Sequence, residues 1–166
     1  MKTSRTTAIA LIAAAAAAVA LPVTAHADPT PPCSSGQVQV SVADSQGASG
    51  HSLETLMFSL APGAAPCTLT GYPGVDSGAG GPLIHAKRTL SGFMGGVRGP
   101  TPPTVTLSPS QPAYARVEGA VIDANGNECP SYTTLQVTPP DTTDTFTVPT
   151  DIYFCRFQVH PVTSEP

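Results

Sequence analysis

The chain has 166 residues, 40% of them apolar and only 11% charged, with a formal net charge of −4. So few charges, together with 19 Pro and 15 Gly, exclude a coiled coil, a long helical bundle and a multi-span membrane protein. One small β-rich domain, or a partly unstructured exported chain, remains.

Residues 1–27 have the make-up of a cleaved signal peptide. Lys2 and Arg5 precede 14 unbroken apolar residues, Ala8 to Leu21, and Pro22 ends that run. Ala25-His26-Ala27 then offers small residues for a signal peptidase. The alternative is a retained anchor, but the run is shorter than the roughly 20 apolar residues of a membrane span. A lipoprotein signal needs a Cys just after the apolar run, whereas Cys33 follows Thr30-Pro31-Pro32. The expected product is exported, with no stable membrane insertion once the signal is cleaved. Losing Lys2 and Arg5 leaves 5 basic and 11 acidic residues, net −6. Five scattered basic residues leave no footprint for nucleic acid.

Residues 28–32 (Asp-Pro-Thr-Pro-Pro) form a short extended linker. The domain proper is expected over 33–162, with 163–166 as a tail. In Gln37–Ala43, Val38, Val40 and Val42 alternate with polar residues, which predicts a half-buried strand. Asp44–Gly50 has the composition of a turn, and Ser52–Leu60 is a strand with Leu56, Phe58 and Leu60 on one face. Leu53, Leu56 and Leu60 also fit helical spacing, but Pro62-Gly63 and the surrounding pattern favour a strand. Cys67–Thr70 is a short strand, Gly71–Gly81 a Gly-rich loop and Pro82–Leu90 a strand. Ser91–Pro103 is a second Gly- and Pro-rich loop. Thr104–Ser108, Pro112–Ile122, Thr133–Thr138 and Thr145–Val148 alternate in turn, with Asn125-Gly126 a hairpin signal. Finally Tyr153, Cys155, Phe157 and Val159 form a regular apolar face, opposed by Phe154, Arg156, Gln158 and His160. The pattern predicts an immunoglobulin-like antiparallel β-sandwich of about 7–9 strands.

Four cysteines in an exported chain imply two disulfides, with three possible pairings. Cys33–Cys67 and Cys129–Cys155 are preferred because each joins neighbouring segments. No CxxC spacing supports zinc or a redox couple.

Several motifs combine here. Gly50-His51-Ser52, the octet Cys67-Thr68-Leu69-Thr70-Gly71-Tyr72-Pro73-Gly74, Thr104–Pro109, Ala113-Tyr114-Ala115, Cys129-Pro130, Val137–Pro140 and Cys155 occur in that order. In these the chain resembles the family named domain of unknown function 4232, over roughly residues 33–162. It departs from the usual family pattern at Leu60-Ala61-Pro62-Gly63 and in the length of the Ser91–Pro103 loop. The resemblance implies an extracytoplasmic β-sandwich of actinobacterial secreted proteins and lipoproteins, and implies no activity. Some such domains are attached to membrane signalling proteins, which hints at binding or sensing.

The chemistry-bearing residues offer little. Gly74-Val75-Asp76-Ser77-Gly78 has the wrong spacing for a nucleophile elbow. His51, His85 and His160 lie far apart. Most carboxylates fall at turns, while Glu118 alternates outward like a solvated residue and Glu54 is expected at an exposed strand end. No cofactor and no catalytic residue is expected. Asp123, Asn125, Asn127 and Glu128 form a weak calcium candidate, cut short by Cys129; an Asn-Gly turn is the simpler reading. Gly92–Gly99 has the glycines of a phosphate loop without its Lys. Tyr72, Phe93, Met94, Val97 and Arg98 are the candidate contact residues, on the Gly71–Gly81 and Ser91–Pro103 loops. Folding back to cover one end of the domain is the simpler reading of the apolar ones. The expected function is a non-enzymatic binding module of the cell envelope with an unknown extracellular or envelope partner. An accessory protein without a discrete site and an uncharacterised hydrolase are the alternatives.

Overall fold

The computed structural model describes residues 29–166; the expected signal peptide lies outside them. Ten strands are present among the described residues, and no helix. They are β1 (Val38–Ala48), β2 (His51–Leu60), β3 (Cys67–Thr70), β4 (Gly74–Ser77), β5 (Lys87–Arg88), β6 (Thr104–Leu107), β7 (Ala113–Ala120), β8 (Ser131–Thr138), β9 (Phe146–Tyr153) and β10 (Phe157–Val159). One sheet has the order β1-β2-β7-β10-β5; β3-β6 and β4-β8-β9 form two smaller ones. All pairings are antiparallel except β5 with β10.

The core follows from alternation. Leu56 and Phe58 of β2 and Ala113, Ala115 and Val117 of β7 share the inner face of the large sheet. They join one buried cluster with Leu69, Val105, Leu107, Val75, Leu135, Val137 and Val148 from the smaller sheets. The disulfides are Cys33–Cys67 and Cys129–Cys155, closing loops of 34 and 26 residues, as the spacing predicted. In the chain-entropy view each contributes about 3.5 kcal/mol. Two disulfides fit a non-cytoplasmic protein. No helix of the described residues is long and apolar enough to cross a membrane.

Four expectations need correction. First, Asp44–Ala48 is not a turn, because β1 continues to Ala48 after a bulge between Val42 and Asp44. The reversal is confined to Ser49 and Gly50, with φ of 51° and 77°. Two successive positive φ values match the right-handed twist of the strands they join. Second, Pro82–Leu90 is mostly irregular, and only Lys87–Arg88 pairs as a strand; β4 instead arises inside the predicted Gly71–Gly81 loop. Third, the Tyr153–Val159 alternation breaks where the chain crosses between sheets. Tyr153 is 46% exposed while Phe154 is fully buried, stacked between Tyr132 and Phe157. Fourth, Glu54 and Glu118 are both buried.

The ends of the domain are also engaged. Pro31 accepts a hydrogen bond from the Thr68 amide (2.8 Å), so the Pro-rich linker runs along β3. Thr163, expected in the tail, exchanges backbone hydrogen bonds with Tyr114.

Candidate functional site

Residues on β2 and β7 that point away from the core would normally face water. Here the segment Leu90–Val97 lies over them. It folds back on itself through Gly92 N–H to Gly95 O (2.9 Å) and Val97 N–H to Leu90 O (2.7 Å). Gly96 has φ +114°, which disfavours other residues.

Glu118 on β7 holds this segment down. Its carboxylate accepts hydrogen bonds from the Phe93 amide (2.6 Å), the Met94 amide and the Gln158 side-chain amide. Arg116, two residues earlier on the same face, donates to Met94 O (3.2 Å). Three donors explain why a carboxylate that is 1% exposed is tolerated. His160 completes the cluster from beyond β10. Its Nδ1 lies 3.1 Å from Thr89 O and 3.3 Å from the Thr89 hydroxyl. Its Nε2 faces Glu118 Oε1 at 3.4 Å.

This anchoring presents Phe93. Its ring is 65% exposed and stacks on His51 with centroids 4.2 Å apart. His51 also lines a cleft of about 390 Å³, together with His85, Lys87, Arg156 and Gln158. Met94 and Val97 are half-buried, and Arg98 is exposed. Arg98 and Val97 line another cleft with Arg116 and Thr163–Pro166. Tyr72 is half-buried in a different cleft, beside Arg88 and Pro139–Thr142. The candidate contact residues therefore divide between separate places. Sequence reasoning overlooked His51, Glu118 and His160 as partners of the loop; the outward parity of His51 and Glu118 was its only signal.

The other candidates take up local roles. Asp123 accepts from the Asn125 amide (2.8 Å), the Asn127 amide (2.9 Å) and the Asn127 side chain (3.0 Å). The bonds from Asn127, with that from Asn125, hold its carboxyl below the usual carboxylate range. Its oxygens thus fasten their own turn. Glu128 pairs through its backbone with Ile122. Among the described residues no group of three or more His, Cys, Asp or Glu is placed to hold a metal. His85 Nδ1 meets Asp76 Oδ1 at 2.6 Å on the surface, apart from the buried His160. The neighbouring Ser77 hydroxyl is engaged with Pro82 O and the Ile84 amide.

The family model for DUF4232, a domain of unknown function, matches residues 33–163. Comparison with curated proteins gave no match. Comparison with solved structures gave none either.

Proposed function

The chain belongs to the DUF4232 family, and on that footing we propose that it is a non-enzymatic binding module exported to the cell envelope. The observation that carries this reading is Phe93. A large aromatic side chain, two-thirds exposed, is held on a segment whose amides are fixed by a buried carboxylate. An aromatic ring loses little freedom on binding when its backbone is already ordered, and such residues dominate interface energies. His51 backs the ring, and Lys87 and Arg156 flank the cleft beside it. Export is supported by the two disulfides and by the composition of residues 1–27.

The test replaces Phe93 and Met94 with Ser and follows urea unfolding alongside capture of isolated cell-envelope material. An unchanged unfolding midpoint with lost capture is expected. A lowered midpoint with undiminished capture per folded molecule would make the two side chains a cover for the sheet and end the proposal.

A further inference from the structure

The cleft beside Phe93 gathers positive charge. Directly opposed residues of paired strands share a face. Leu53, Glu118, Gln158 and Lys87 therefore form one outward row across β2, β7, β10 and β5. In the next row His51 stands opposite Ala120. The Cys155 amide donates to Ala120 O (3.3 Å), which brings Arg156 alongside. Gly119 and Ala120 belong to the lining of the cleft, so small residues lie between His51 on one side and Lys87 and Arg156 on the other.

Only five basic residues follow residues 1–27, against 11 acidic ones. Two of the five, Lys87 and Arg156, meet at this cleft, and both are exposed. Among the described residues the ion-pair contacts are His85 with Asp76 and His160 with Glu118, so Lys87 and Arg156 are both unpaired. Arg116, by contrast, is engaged by Met94 O and Pro166 O. The two nearby carboxylates are already engaged as well. Glu118, the one that lines the cleft, accepts from Phe93, Met94 and Gln158. Asp76 is held at His85, 2.6 Å away.

Two unpaired cations converging on a cleft of an acidic domain call for an anion. The planar fork of Arg matches two oxygens of a carboxylate or phosphate, and Lys adds a point charge. We infer that this cleft is an oxyanion site, in which Arg156 and Lys87 hold a carboxylate or phosphate group of the partner that packs on Phe93. His51 joins the two, because its ring stacks on Phe93 and also lines the cleft. The inference rests on the Phe93 reading for its occupant and adds the charge of that occupant.

The test uses the whole exported domain. Acetate and methyl phosphate are titrated separately at fixed pH and ionic strength, with chloride as the balancing salt, and followed by NMR at the Ala120 and Gln158 amides. At least one is expected to give saturable shifts, with a Kd on the order of 10 mM; the tighter one identifies the oxyanion. Lys87→Gln and Arg156→Gln should each weaken binding roughly 2–5-fold. The double variant should abolish saturation and lose capture of isolated cell-envelope material. Lys87→Arg, which keeps the charge, should retain both. No saturation by either oxyanion, undiminished saturation in the double variant, or undiminished capture by it would each overturn the inference. Phe93→Ser separates the two readings, since it should lose capture and still bind the free oxyanion. Oxyanion saturation with capture that survives Phe93→Ser ends the Phe93 reading and leaves the oxyanion site standing. Capture lost in Phe93→Ser, with no oxyanion saturating the parent, ends this inference alone.

Discussion

Gly92 is where the outer-face segment meets the Glu118 carboxylate most closely. A Cβ there would overlap Glu118 Oε1 and Gln158 Nε2 and come within 2.6 Å of Glu118 Cδ. Its φ is not positive, so alanine suits the backbone, and in open space Gly92→Ala would stabilise the protein by about 0.4–1 kcal/mol. The methyl group instead has to push the carboxylate off the Phe93 and Met94 amides. Hydrogen bonds to a charged group contribute about 1.5–3 kcal/mol each, and amides released at the surface recover part of that from water. The expected net result is a loss of about 2 kcal/mol. Urea unfolding measures it, and amide hydrogen exchange at Phe93 and Met94 should accelerate. In a Glu118→Ala background only the overlap with the flexible end of the Gln158 side chain remains, so Gly92→Ala should cost much less. The coupling energy of the cycle should therefore exceed about 1 kcal/mol. A Gly92→Ala protein as stable as the parent, with both amides still protected, would refute the pinning of the segment by Glu118.

Other expected outcomes follow from the buried and local groups. Burial, which outweighs the Ser45 and Thr150 hydroxyls and is reinforced by Asp44 and Asp151, raises the Glu54 carboxyl above its usual value of 4.5. The folded state then holds a proton that the unfolded state has lost. Stability should fall as pH rises from about 4.5 until Glu54 ionises in the folded protein. Glu54→Gln should flatten that fall; parallel pH profiles would contradict it. Replacing Cys129 and Cys155 together with Ala should cost about 3.5 kcal/mol in urea unfolding, in line with the closed loop of 26 residues. Asp123→Ala should loosen its turn and speed amide exchange at Asn125 and Asn127, the two amides it accepts from, and unchanged exchange at both would contradict that role.

Alternation in the sequence located most strands and gave the parity of both buried glutamates correctly. What parity could not say was whether an outward face meets water. Glu118 points away from the core, yet a glycine-rich segment covers it, and nothing local to β7 encodes that cover. Glu54 points inward, as its spacing from Leu56 requires. With that parity a charged residue is expected at an exposed strand end; instead β1 continues past its bulge through Asp44–Ala48, whose polar composition reads as a turn. Those residues pair only with β2 and are exposed, so they have no buried face to impose alternation. The Tyr153–Val159 pattern failed for the opposite reason. A clean period of two spans a crossing between sheets, where Phe154 turns inward to stack with Tyr132 and Phe157. The disulfide partners were legible because each pair joins segments that are neighbours in sequence as well as in space.

The sheet margins bear on how such a chain can meet other molecules. β5, one rim of the large sheet, is two residues long, Lys87 and Arg88, and both are exposed. β1, the other rim, is interrupted at its bulge and carries Asp44 beyond it. β9 borders the three-stranded sheet with Pro149, which has no N–H to donate. β4 borders its other side, and there the Ser77 and Ala86 amides bind Ile84 O and Val75 O, so Ile84–Ala86 shields it. Short length, charge, proline and cover are the means by which natural sheets resist adding a strand from a neighbour. Crowded copies of this domain therefore have little to zip together into fibrils or swapped sheets. Recognition by strand addition is disfavoured at these margins too, which favours side chains on loops and in clefts as the points of contact.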